Sequence, residues 1–270
     1  PYDYEKIHGL RSQMPALADW VGLKSLTTTY QLQPDNRLRR LDLRLESPAP
    51  LQLARSLNLC LRPNFQSGPA GPGVTEVREM LQVETRVARA RPWIDHLKAH
   101  NTVRDILDIA SWRSTGTQEL WTLRDDDPVR VLSGDAVGEQ WHRVKTYATR
   151  KYESQSRVGF LFGFDDVGTA GFKRWATLRQ QFERGFTPIL AYFNHPKMPV
   201  ESLMVQTNIG FEAIGYKLAI DAGKSSGGAN RERHDARLRR IAAALPVAPP
   251  FDLEDWVGRA TDAYNGFKHA

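Results

Sequence analysis

The chain has 270 residues and a formal net charge of +6, from 37 Lys and Arg against 31 Asp and Glu. Hydrophobic residues make up 41% and aromatics 10%, which excludes wholesale disorder and leaves room for one large domain or two ordinary ones. A single cysteine, Cys60, excludes an intrachain disulfide, and no apolar run reaches the roughly 18 residues of a membrane-spanning helix.

The N-terminus, PYDYEKIHGL, lacks the apolar stretch of a secretory signal, so cytoplasmic residence and no membrane partner are expected. It begins at Pro1 with no Met, which leaves a missing start open. The mild basic excess favours contact with polyanions such as nucleic acid, but where the charge sits matters more than its total.

The first 90 residues read as β-rich. Residues 21–33 (VGLKSLTTTYQLQ) alternate apolar positions around three threonines, 34–36 (PDN) form a turn, and 37–46 alternate leucines with charges. The pair reads as a half-exposed antiparallel hairpin. Residues 51–63 form a third candidate strand, 66–73 (QSGPAGPG) a loop on composition, and 79–87 a further strand.

The period changes at 92–112, where Ile94, Leu97, Val103, Ile106, Leu107 and Ile109 fit a helix with Pro92 in its first turn. Short strands are expected at 119–123, 129–132, 142–149 and 158–162. From about residue 165 the pattern is helical. One helix closes on Gly185 as its C-cap, and a long one at 200–223 carries a stripe of Leu203, Met204, Phe211, Ile214 and Leu218 and ends at Gly223. Residues 224–230 read as a flexible loop, 231–245 as an arginine-rich helix, and 252–270 as the last helix. Strands followed by helices predict an α+β chain: a β-rich domain at 1–160 and a helical bundle at 161–270.

On the last helix, Trp256, Ala260, Tyr264 and Phe267 share one face, while Asp262, Asn265 and His269 share a polar arc away from it. That arc is either an ordinary solvated face or a site facing a second helix or subunit. Glu212 sits beside the apolar stripe of the 200–223 helix, either as a surface carboxylate or as a group that orients His269. Arg231, Arg233, Arg237, Arg239 and Arg240, with His234 among them, could contact RNA phosphates or form a solvated face laced with Glu232 and Asp235. The acidic runs FDD and RDDDP suit loops better than a metal, and His96 with His100 has zinc-like spacing but no third ligand in sight. No metal and no cofactor is expected.

The segment from FLFGFDDVGTAGFKRWATLRQQF through SLMVQTNIGFEAIGYKL to AYNGFKHA resembles the HEPN domain of ApeA-type proteins. The earlier half, with IHGLRSQMPALADWVGLKS and SLNLCLRP, is similar to the N-terminal domain that precedes it in that family. ApeA-type proteins act in bacterial abortive infection against phage. The resemblance implies a helical HEPN bundle that pairs as a homodimer and cuts or binds RNA, tRNA among the candidates, without metal. It further implies a phage-derived trigger at the N-terminal domain. The HEPN signature is an arginine, then a polar residue, then a histidine on the last long helix. His269 matches the histidine and Asn265 the polar residue, but the arginine position holds Tyr264. Lys268 is the nearby cation, and Glu212 and Tyr264 complete the expected set. The helical domain is open to truncation after Ala270. The rival expectation is a non-catalytic HEPN-fold module for dimerisation or RNA binding.

Overall fold

The computed structural model describes residues 4–145 and 159–269 except Pro196, with the side chains of Asn194, Lys268 and His269 outside that description. The chain divides into two compact units, Pro1–Trp175 and Ala176–Ala270. The first opens with β1 (Lys6–Gln13) and the short helix α1 (Leu17–Val21). Then come β2 (Leu26–Leu32), β3 (Leu38–Leu45), β4 (Leu51–Ala54), a 3-10 turn at Arg55–Leu57, β5 (Leu59–Gly71) and β6 (Val74–Pro92). Helix α2 (Trp93–Ser111) and the short strands β7 (Glu119–Leu123), β8 (Val129–Arg130), β9 (Ala136–Gly138) and β10 (Trp141–Val144) follow.

Six of these strands form one antiparallel sheet in the order β10-β7-β1-β6-β5-β4, while β2–β3 and β8–β9 are separate two-stranded ribbons. One sheet face carries Leu10 and Ser12 of β1, Val83 and Thr85 of β6, and Leu59 and Leu61 of β5, all buried. Helix α2 covers this face with His96, Ala99, His100, Val103, Leu107 and Ala110, spaced three and four apart as one helical stripe requires. The two histidines are core residues. His100 bonds Ser12 Oγ through Nδ1 (2.6 Å) and Thr85 Oγ1 through Nε2 (3.1 Å). His96 bonds Thr85 Oγ1 (2.8 Å) and the Ile7 carbonyl (3.1 Å). Among the described residues no group of three His, Cys, Asp or Glu could hold a metal ion.

The opposite sheet face is polar. Glu84, buried, receives Arg11 Nε at 2.6 Å and Arg62 Nε at 2.7 Å, and Trp141 stacks 3.7 Å from the Arg11 guanidinium. Gly9 makes room for that indole, since a Cβ there would stand 2.8 Å from Trp141 Cη2. The two arginines hold the Glu84 carboxyl below the ordinary range against the opposing effect of burial.

Helix α3 (Phe164–Gln181) breaks at Gly168 (φ 58°, ψ −177°). Its early part belongs to the first unit, where Trp175 Nε1 donates to the Thr102 carbonyl (2.9 Å) and Phe164 meets Trp20 edge-on. The second unit is helical among its described residues: α4 (Glu183–Asn194), α5 (Val200–Asp221), α6 (Ser226–Asn230), α7 (His234–Ala243) and α8 (Leu253–His269). The α+β reading holds, with strands confined to the earlier part of the chain.

Several local expectations need correction. Val21 ends a helix instead of starting a strand. The strand expected over 51–63 is broken by the 3-10 turn, where Asn58 takes a left-handed φ of 50°. Within the 66–73 segment, 66–71 are no loop but the end of β5, paired with β6 as one ribbon, and only 72–73 form the turn; Gly and Pro are tolerated where strands leave the sheet. The β2–β3 hairpin is exposed on both faces, not one. Residues 159–162 are not strand, and 146–149 and 158 lie outside the described residues. Gly185 lies inside α4, not at a C-cap. Residues 226–230 form a short helix, capped by the Ser225 hydroxyl accepting from Gly228 N at 3.1 Å.

Gly185 has a packing role instead. A Cβ on Gly210 would stand 2.6 Å from the Gly185 carbonyl, so α4 and α5 cross backbone to backbone. Helix α5 therefore buries Asn208, Gly210, Gly215 and Ala219, while Leu203, Met204, Phe211, Ile214 and Leu218 are only half-buried.

Candidate functional site at the crossing of three helices

In the second unit, α5, α7 and α8 bring Asn208, Glu212, His234, Arg237 and Tyr264 together. Spacing does the positioning. Asn208 and Glu212 are four apart on α5, and His234 and Arg237 three apart on α7, so each pair shares a face. Gly215 admits Arg237, since a Cβ on the glycine would stand 2.5 Å from the arginine Cβ.

Asn208 Nδ2 donates to the Met204 carbonyl (2.8 Å), which turns its Oδ1 toward His234. His234 Nε2 lies 2.8 Å from that oxygen and is therefore the donor. The other ring nitrogen, Nδ1, lies 3.9 Å from Glu212 Oε1. Arg237 Nη1 stands 3.7 Å from the same oxygen, and its Nη2 donates to the Ala229 and Asn230 carbonyls, both at 3.1 Å. Tyr264 hydrogen-bonds the Glu212 carboxylate, and its ring lies 4.7 Å from the His234 ring, tilted by 37°. Burial, then the Glu212 charge and that hydrogen bond, push the Tyr264 phenol up.

Glu212 is thus a carboxylate shared by a histidine, an arginine and a phenol. The histidine and arginine are nearly buried, with side chains 5% and 9% exposed, while Glu212 at 29% reaches the surface. A cavity of about 640 Å³ opens beside it, lined in part by Glu212, Arg237, Tyr216, Lys217, Arg184 and Gln181. The arrangement can place the Arg237 guanidinium and the Glu212 carboxylate together at the cavity wall, with the His234 ring held in one orientation by Asn208.

Of the residues singled out in the sequence, Glu212, His234, Arg237 and Tyr264 fall in this cluster. Asn265 is exposed on α8, and the side chains of Lys268 and His269 lie outside the described residues. Arg237 leaves the basic face and joins the cluster. The other α7-region arginines are engaged differently: Arg233 with Asp235 (3.3 Å), Arg239 with Asp235 and Glu254 (both 2.8 Å), and Arg240 with Glu232 (2.6 Å). Arg231 is exposed. Asn208 escaped notice, although its place four residues before Glu212 was the available signal.

No curated protein and no solved structure matches the chain. The family model for ApeA N-terminal domain 1 matches residues 1–175, the same residues as the first compact unit. The chain belongs to the ApeA N-terminal domain 1 family.

Proposed function

We propose that the chain is an ApeA-type abortive-infection protein, acting in the cytoplasm, whose helical unit binds and cuts RNA without metal. The N-terminal unit would receive a phage-derived trigger, and the helical units would pair as a homodimer. The observation that carries the nuclease reading is the approach of Arg237 to the Glu212–Tyr264 pair. Position 264 is where the resemblance calls for an arginine. Here a guanidinium reaches the same carboxylate from α7 instead.

Cleavage of RNA without metal joins the 2′-oxygen to phosphorus and releases the 5′-oxygen. It needs a base for the 2′-hydroxyl proton, an acid for the leaving oxygen, and positive charge on the phosphate. In this reading His269 moves the protons with Asn265 beside it. Arg237 takes the phosphate role, and Lys217 and Arg184 along the cavity favour the RNA backbone. Glu212 holds Arg237 and Tyr264 in place.

The test is incubation of the purified chain with total tRNA, reading discrete fragments, beside His269→Ala and Arg237→Lys. Cleavage by wild type that both variants lose supports the reading. A second reading is favoured by one observation: Arg237 is nearly buried and donates to two carbonyls, so it already serves the fold. There the helical unit is a non-catalytic module for dimerisation or RNA binding. Retention of tRNA on a filter without cleavage, across several RNAs, would favour it.

A further inference from the structure

The β2–β3 hairpin stands apart from the six-stranded sheet, and its register sorts its side chains. The pairs Leu26–Leu45, Thr28–Leu43, Tyr30–Leu41 and Leu32–Leu38 fall on one face. Thr27–Arg44, Thr29–Asp42 and Gln31–Arg40 fall on the other. The turn between them is well specified. Asn36 takes a left-handed φ of 62° and donates to the Gln33 carbonyl, and Asp35 accepts from Arg37 N at 3.2 Å. At its base, Ser25 N and Leu26 N donate to Glu79 Oε1.

This built ribbon leaves its apolar face in water. Tyr30, Leu32, Leu38, Leu41 and Leu43 are 49–64% exposed. Five such side chains present on the order of 500 Å² of apolar surface, as much as the largest patch of a typical monomer. A two-stranded ribbon alone is marginal in water, so a face of this kind calls for cover.

We propose that the cover is the same hairpin of a second copy of this chain, stacked face to face about a two-fold axis parallel to the strands. That axis lays β2 of one copy over β3 of the other. The single small residue in the middle of the face, Thr28, then receives Leu43 of the opposing hairpin, and Leu41 lies over Tyr30. Two such faces bury on the order of 1,000 Å² together, the lower bound of a specific interface. The one charged residue that alternation puts on this face is Arg39, left unpaired by the bulge at the turn end; the two-fold axis sets the two copies of it over opposite strands, at the rim of the contact. A lipid surface fits less well, because Arg40 and Arg44 lie on the opposite face and only Arg39, at the turn end, shares the apolar one, fewer cations than a membrane-bound amphipathic element presents to headgroups. This contact does not rest on the RNA reading and is separate from pairing through the helical unit.

The test is the mass of the 270-residue chain by sedimentation equilibrium at tens of micromolar, beside Leu41→Glu/Leu43→Glu. Followed down a dilution series from tens of micromolar, wild type should stay associated to at least tenfold lower concentration than the variant, whether or not the helical units also pair, with unchanged circular dichroism. Tyr30→Lys is the second variant, should the first lose its fold. Equal masses for wild type and folded variant at every concentration of the series would overturn the proposal. So would co-sedimentation of wild type, but not the variant, with phosphatidylglycerol vesicles, which would assign the face to a bilayer.

Discussion

The guanidinium of Arg237 lies 3.7 Å from the carboxylate of Glu212, Nη1 to Oε1, inside a helical crossing and not on a basic surface. Its Cβ rests against Gly215, and its other terminal nitrogen ties α7 to the carbonyls ending α6. The arginine is therefore part of the packing of the second unit.

Arg237→Ala should destabilise the protein by about 2–4 kcal/mol, from lost packing, two orphaned carbonyls and a partner carboxylate left without its cation. The value sits below that for a fully buried pair because Glu212 is partly solvated. Arg239→Ala, two residues on and paired only in solvent with Asp235 and Glu254, should leave stability nearly unchanged. Urea denaturation of both variants checks the contrast. Equal effects would mean that Arg237 does not hold the crossing.

How far each part was legible follows from the scale of the signal. The switch from strands to helices near residue 165 was legible, because periods of 2 and 3.6 persist over whole segments. The β5–β6 ribbon was not: its Gly and Pro content imitates a loop, and only pairing with a neighbour overrides it. Gly185 imitated a C-cap because sequence alone cannot show Gly210 crossing it. At the site, Glu212 and Tyr264 were legible one at a time, on separate helices. Their meeting with His234 and Arg237 depends on how α5, α7 and α8 cross, which no local spacing contains. Counted as charges, the five arginines from 231 to 240 look alike; the helix turn inserts one of them into the core.

Gly210→Ala should destabilise the helical unit by roughly 1–3 kcal/mol, because its Cβ would stand 2.6 Å from the Gly185 carbonyl and 2.5 Å from Ile189 Cγ1. Backbone cannot step aside as a side-chain tip can. Gly258→Ala, inside α8 with nothing within 4 Å of its Cβ, should instead stabilise by about 0.5–1 kcal/mol through helix propensity. Thermal melts of the two variants should shift in opposite directions.

Two buried groups set opposite pH dependences in the first unit. Burial holds His100 down to about 3, from an ordinary imidazole value of 6.5, so its contribution is fully present above pH 6.5 and is lost as pH falls toward 3. His96 is depressed in the same direction by the same cause. Asp108, which accepts from Thr115 N (2.7 Å) and Oγ1 (2.6 Å), is pushed up by burial to about 6. Its contribution is present at low pH and is lost as pH rises through 6. Each group changes stability by about 1.4 kcal/mol per pH unit inside its window, and the windows overlap between pH 4 and 6. Stability measured by urea titration should therefore fall less steeply with acid in His100→Gln than in wild type, and more steeply in Asp108→Asn. Parallel curves for all three would show that neither group carries its charge as described.

Tyr264 offers the sharpest comparison at the candidate site. Tyr264→Phe keeps the ring against His234 and removes the hydrogen bond to Glu212, so it should cost about 1–2 kcal/mol. Tyr264→Arg supplies the arginine that the proposed likeness to HEPN domains calls for, but places a second guanidinium on the carboxylate that already faces Arg237. A hybrid with Arg237→Met separates the two arginines. If Arg237 has taken over the phosphate role, Tyr264→Phe retains tRNA cleavage, Arg237→Met loses it, and the double variant Tyr264→Arg/Arg237→Met recovers part of it. If Arg237 serves packing alone, Arg237→Met lowers the melting temperature and leaves cleavage per folded molecule unchanged. Fragment yield, normalised to the folded fraction from circular dichroism at the assay temperature, distinguishes the outcomes.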